Sequence, residues 1–421
     1  MRFHFYPALR PSHVAEVDWQ SWHWQMRHGL SQSAEFAAAL PLSGSEGAAL
    51  QRNQIESQFQ VRSTPYYVSL VRPDDLQDPL RKIMLPQVAE WQGNAHAQFD
   101  PLNERRNNPA PRLIHRYPDR ILFLVTDICS VYCRYCTRKH FTGQEQAFLP
   151  EAEYQQALNY IRRQTGVREV ILSGGDPLTL SDQRLDRVLG DLRAIEHLEI
   201  IRIGTRMPVV CPMRVTSELV QILKKYNPVY IMTHFNHPRE LTWEAKQALE
   251  RIVDAGLPTF NQMVLLQGVN NDVRIVQALS RRLLYLRVKP YYMFQCDPSR
   301  GTDHLRTSLD ESEAIQKELW GNLSGLAMPT LSVDIPSGGG KTTLVPNFER
   351  ARNSESRTYQ GWDGVTETYW NPKIQIAQSP SDAAEYDEEW RALKNAKSPR
   401  PDPSEHTLPQ TFSRSGPETS R

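Results

Sequence analysis

Short runs of β-branched and aromatic residues recur through the middle of the chain: "RILFLVT" from Arg120, "REVILSG" from Arg168, "LEIIRIG" from Leu198, "PVYIMTHF" from Pro228, "TFNQMVLL" from Thr259 and "RVKPYYMF" from Arg287. Each reads as a strand. Their starts lie 48, 30, 30, 31 and 28 residues apart, the period of a strand plus a crossover helix. The intervening segments carry apolar residues at helical spacing, as in "EAEYQQALNYIRRQ", "LDRVLGDLRAI", "SELVQILKKY" and "TWEAKQALERIVDAG", the last stopped by Gly256. Six strands alternating with six helices predict an α/β fold with a parallel sheet, either open and doubly wound or curled toward a barrel. With either closure, chemistry belongs on the loops at the carboxyl ends of the strands.

The flanks differ from this pattern. Residues 1–110 lean toward helix, and the tryptophans of "DWQSWHWQMR" read as packing anchors. The pattern divides the chain into this helix-rich region, a barrel-like region 111–325, a segment 326–378 and a polar, Pro- and Ser-rich tail 379–421 that predicts disorder.

Composition changes the picture by exclusion. With 49 Lys+Arg against 48 Asp+Glu, a net charge of +1 gives no overall pull toward nucleic acid or an anionic membrane. No apolar run is long enough to span a bilayer, and "MRFHFYPALRPSH" lacks a signal-peptide core, so a cytoplasmic protein is expected. Five cysteines, an odd number, argue against a disulfide framework and for metal or redox chemistry.

Three of these cysteines stand together in "TDICSVYCRYCTRKHFTG", in the loop after the first predicted strand. Cys129, Cys133 and Cys136 can neither pair off as disulfides nor complete a tetrahedral zinc site. A four-iron cluster held by three thiolates leaves one iron open to a further ligand. A partial zinc site or plain buried cysteines are the alternatives. The Cys-x-x-x-Cys-x-x-Cys spacing, with Tyr135 before the last cysteine, resembles the signature of radical S-adenosylmethionine (SAM) enzymes, whose open iron is chelated by SAM. "LSGGDPL" follows the second strand, and its Gly174 and Gly175 allow close backbone approach to the amino-acid end of SAM.

A longer resemblance narrows the reading. "HRYPDRILFLVTD", "IRIGTRMPVV", "THFNHP", "PYYMFQCDPSRG" and "VDIPSGGGKTTLVPN" together resemble the lysine 2,3-aminomutase family over most of residues 15–370. The resemblance implies a partial (β/α)6 barrel of the radical SAM type. It also implies a [4Fe-4S] cluster, SAM and pyridoxal 5′-phosphate (PLP), and transfer of an amino group from the α to the β carbon.

A lysine presented after glycines, as Lys341 is, can reach a cofactor aldehyde as a Schiff base. "SGGGKTT" looks superficially like a phosphate loop, yet it fails the Walker spacing, with Ile335 and Pro336 interrupting it. The resemblance makes Lys341 the PLP lysine and puts Arg116 and Arg120 near the cofactor phosphate or the bound substrate. It gives Arg138 to the substrate α-carboxylate, and Asp297 and Asp334 to a terminal ammonium. Two acids in one pocket select a cation. L-Lysine, giving β-lysine, is therefore the leading substrate, with arginine or a conjugated lysine as alternatives. A non-catalytic iron–sulfur sensor and a PLP-independent radical enzyme are the other readings. His234 is expected at SAM, with Gln262 as a second contact, in preference to a His234–His237 metal pair. No cysteine follows Cys296, so the structural zinc found in family members of this length is not expected, and Cys211 and Cys296 read as buried apolar residues. The expected partners are an amino acid, a one-electron reductant protein and further copies of the chain.

Overall fold

The computed structural model describes residues 3–56, 59–143, 147–336 and 339–372, together with Ala384, Glu388 and Arg391. Most of the tail from Ser379, with Ser337 and Gly338, lies outside the described residues.

Nine strands form one sheet in chain order: β1 Leu113–Tyr117, β2 Arg120–Thr126, β3 Glu169–Gly174, β4 Ile200–Gly204, β5 Val229–Thr233, β6 Thr259–Leu265, β7 Lys289–Gln295, β8 Thr330–Ile335 and β9 Gly340–Thr343. From β2 to β8 every pairing is parallel, while β1 and β9 run antiparallel at the two edges. The six strands read from the sequence are β2–β7. Their crossovers are the helices Glu151–Arg163, Asp182–Arg193, Ser217–Lys225, Trp243–Asp254, Val273–Tyr285 and Leu309–Leu319. Six strand–helix units of the partial (β/α)6 type are thus present, and β8 adds a seventh parallel strand from within the segment that begins at residue 326. The edges approach each other where the Lys341 amide donates to Tyr117 Oη at 2.9 Å, so the sheet is nearly closed.

Local chemistry explains the helices. Ser181, Thr216, Thr242 and Ser308 each cap one, accepting a backbone N–H of the first turn. Each then buries one face, as Leu185, Val188, Leu189 and Leu192 do. Burying such a side chain stabilises by about 1.5–3 kcal/mol. Along β3 and β6 buried residues alternate with half-buried ones, and the half-buried Ile171, Ser173, Gln262 and Val264 face a central cavity.

The amino-terminal region is helical as its sequence predicts, and packs its buried Trp19, Tyr66, Tyr67 and Ile83 in one core with Phe235, Leu265 and Met293. Trp22 and Trp24 pack against buried core residues. Beyond β9, strands β10 Glu349–Arg352, β11 Ser356–Gln360 and β12 Thr366–Trp370 form a separate antiparallel sheet. No helix among the described residues is long and apolar enough to cross a membrane.

Candidate active site

A cavity of about 750 Å3 runs through the barrel. All the candidate residues line it: Cys129, Cys133, Cys136 and Arg138 from the loop after β2, Gly174 and Gly175 at the end of β3, His234 after β5 and Gln262 on β6. Asp297 after β7, Asp334 on β8, Lys341 on β9, and Arg116 and Arg120 on β1 and β2 complete the wall.

The cysteine loop is held from several sides. A Cβ at Gly174, where φ is +125°, would stand 2.1 Å from Thr126 O, and one at Gly175 would stand 2.3 Å from Ile128 O. These glycines let β3 press against the loop, and the Gly175 amide donates to Thr126 O at 2.7 Å. Arg134, fully buried within the cysteine motif, donates to Glu90 through Nε at 2.9 Å and to Gln60 O through Nη1 at 2.9 Å. Tyr135 Oη accepts from the Asn236 side chain at 2.7 Å. Burial, then the neighbouring thiols, raise Cys129 well above the ordinary thiol range, and burial followed by Cys133 pushes Cys136 up to about 11. Among the described residues no three His, Cys, Asp or Glu side chains converge as the shell of a single metal ion. A cluster whose ligands bind separate irons does not require that convergence.

Two basic residues were not singled out from the sequence. Arg206, just beyond β4, donates from Nη1 to Cys133 Sγ at 2.9 Å and from Nη2 to Tyr67 Oη and Glu240 Oε1 at 2.8 and 2.7 Å. Arg202 on β4 pairs with Glu169 on β3 inside the cavity. His234 is held neutral: burial, then Arg206 and Arg138, lower it to about 4. His237 instead caps the following turn, its Nδ1 accepting the Arg239 amide at 3.2 Å.

Arg138 meets a carboxylate in the structure. Its Nε lies 2.9 and 3.0 Å from the two oxygens of buried Glu104, and Nη1 donates to Ser173 Oγ at 3.2 Å. Glu104, in "DPLNER", carried no signal in the sequence because its partner lies across the cavity wall.

The acidic end is assembled from four strands, β1, β7, β8 and β9. Lys341 Nζ stands 3.3 Å from Asp334 Oδ2 and 5.0 Å from the Phe294 ring centre, and Arg116 Nη1 stands 4.0 Å from Asp334 Oδ1. Burial, then the Asp334 charge, push Asp297 up to about 7, against the pull of Lys341 and Arg306. Arg116 Nε is buried without a hydrogen-bond partner, and Arg120 stacks 3.9 Å over the Tyr117 ring.

Comparison with known proteins decides the family. Residues 123–278 match the radical SAM superfamily, and residues 316–398 match the family described as lysine-2,3-aminomutase. The chain is 44% identical over 359 residues to the L-lysine 2,3-aminomutase of Clostridium subterminale, covering 85% of this chain and 86% of that protein. The chain belongs to the lysine 2,3-aminomutase family. It is a radical SAM aminomutase, an isomerase that uses a four-iron cluster and SAM. Family members differ in name: the glutamate 2,3-aminomutase of Clostridioides difficile is 39% identical over 349 residues, 83% of this chain and 82% of its own length.

Proposed function

We propose that the protein is a PLP-dependent L-lysine 2,3-aminomutase that converts L-lysine to β-lysine. One observation carries this reading: a single cavity has three cysteines along one wall and, along another, a lysine amine beside two carboxylates. When bound, the cluster and SAM supply a 5′-deoxyadenosyl radical, and PLP supplies a conjugated carrier for the migrating nitrogen.

The chain's own residues divide the remaining tasks. Cys129, Cys133 and Cys136 hold the cluster, while His234, neutral at physiological pH, and Gln262 contact SAM without adding charge near its sulfonium. Lys341 is the PLP lysine; its Nζ must lose a proton to act, and Asp334 Oδ2 at 3.3 Å is the acceptor at hand. Arg116, with its orphan Nε, and Arg120 offer guanidinium donors to the cofactor phosphate. Arg138 takes the substrate carboxylate on the side of the fork that Glu104 leaves open. Asp297 and Asp334 receive the distal ammonium, and their mutual repulsion disfavours an anionic side chain such as that of glutamate. Phe260, Tyr291, Tyr292 and Phe294 line the cavity and exclude water from reactive species.

Borohydride reduction of the PLP-treated protein, followed by peptide mass mapping, tests the cofactor assignment. A pyridoxyl group on Lys341, lost in Lys341→Ala, supports it; modification at another lysine refutes it.

A further inference from the structure

Arg206 is a buried cation in direct contact with one cysteine of the cluster motif. Its Nη1 donates to Cys133 Sγ at 2.9 Å, Nε to His234 O at 3.3 Å, and Nη2 to Tyr67 Oη and Glu240 Oε1 at 2.8 and 2.7 Å. The backbone is pinned as well, since the Arg206 amide donates to Asp176 Oδ2 at 2.7 Å while Thr205 Oγ1 donates to Asp176 Oδ1 at 2.7 Å. The aspartate of "LSGGDPL" therefore holds the loop after β4 so that its arginine reaches back over the loop after β2. Glu240 is fixed in turn, because its Oε2 accepts the Asn236 and His237 amides at 2.6 and 2.9 Å.

A buried ion pair is costly and often no more stable than an apolar replacement, so stability alone gives little reason for one here. A role at the cluster does give one. Reduction adds a negative charge to a group already rich in thiolate, and both a hydrogen bond to a ligand sulfur and a nearby fixed cation favour the reduced form. Four of the guanidinium's five N–H groups are already engaged by protein, which leaves little of it for SAM. We infer that Arg206, positioned by Asp176 and Glu240, raises the reduction potential of the cluster through Cys133 and so sets how readily a donor can charge it. The inference rests on Cys133 being a cluster ligand.

The test is an EPR-monitored potentiometric titration of the reconstituted full chain without SAM, with iron content measured on every sample. Arg206→Gln shifts the midpoint to more negative potential by about 59 mV or more, equivalent to tenfold in a one-electron equilibrium. Glu240→Gln shifts it the opposite way, because the guanidinium then acts without its counter-charge. The double variant Arg206→Gln/Glu240→Gln leaves neither charge unpaired and still lies below the parent. A parental midpoint in a fully loaded Arg206→Gln protein overturns the inference, as does weakened SAM binding as its only change. If that variant fails to build a cluster, the double variant decides; failure of both would make Arg206 an assembly residue and refute the redox role. Cys133→Ala separates the premise: a normal cluster there refutes the ligand assignment and leaves the proposed aminomutase reaction to its own test.

Discussion

The two ends of the cavity are built on opposite plans. At the cysteine end, the three thiols sit on one loop braced by buried groups from the amino-terminal region and from the loops after β3, β4 and β5. At the lysine end, the functional groups come from β1, β7, β8 and β9, and Lys341 lies on an edge strand with its side chain 38% exposed. The contrast fits two kinds of chemistry. A cluster must keep fixed geometry through electron transfer, whereas the role proposed for Lys341, taking up and releasing a cofactor, needs room to swing.

Substitutions can break or sharpen that contrast. The largest effect is expected at the cysteine end: Cys133→Ala abolishes product formation while circular dichroism keeps the parent's secondary structure, because Cys133 lies on the loop after β2 and only borders the core. At the lysine end, Asp297→Ala or Asp334→Ala lowers kcat/KM for lysine by about 30- to several-thousand-fold, the equivalent of roughly 2–5 kcal/mol for an unpaired charge. Cluster content remains unchanged in both, and PLP content remains unchanged in Asp297→Ala, whereas Asp334→Ala also weakens PLP loading because it removes the carboxylate beside Lys341 Nζ. Breaking the brace with Glu90→Gln strands the buried Arg134 and lowers denaturant-measured stability by about 3–5 kcal/mol.

A smaller effect concerns pH. Asp297 is raised to about 7 in the folded chain. Its contribution to stability is therefore present below the ordinary carboxylate range, near pH 4, and is lost as the pH rises through about 7. For activity the direction reverses, since the substrate ammonium needs the ionised acid: kcat/KM falls by up to about tenfold per unit as the pH drops below 7, and Asp297→Asn removes that limb. The smallest expected change is the effect of Lys341→Ala on unfolding, within about 0.5 kcal/mol, as befits a half-exposed side chain on an edge strand.

How much could be read in advance follows the same division. The cysteine loop is contiguous, so its spacing alone carried the chemistry, and β2–β7 announced themselves by period. β8 was hidden because "TLSVDI" is short and runs directly into the Pro- and Gly-rich turn before Lys341, which reads as an extension rather than a barrel strand. Arg206 stood in plain view in "IRIGTRMPVV", but nothing local says that its side chain reaches Cys133, a contact across 73 positions. The Glu104–Arg138 pair was invisible for the same reason, at 34 positions. Local pattern names the elements, and only closure of the sheet brings such distant groups together.

The most direct test of the account is anaerobic incubation of the reconstituted protein with reductant, SAM, PLP and a panel of lysine, arginine, glutamate and an α-amide-conjugated lysine, followed by mass-resolved separation of α- and β-isomers. The account predicts β-lysine from free lysine and no isomer from glutamate. Isomerisation of glutamate, or none of lysine while SAM is still cleaved, would contradict it.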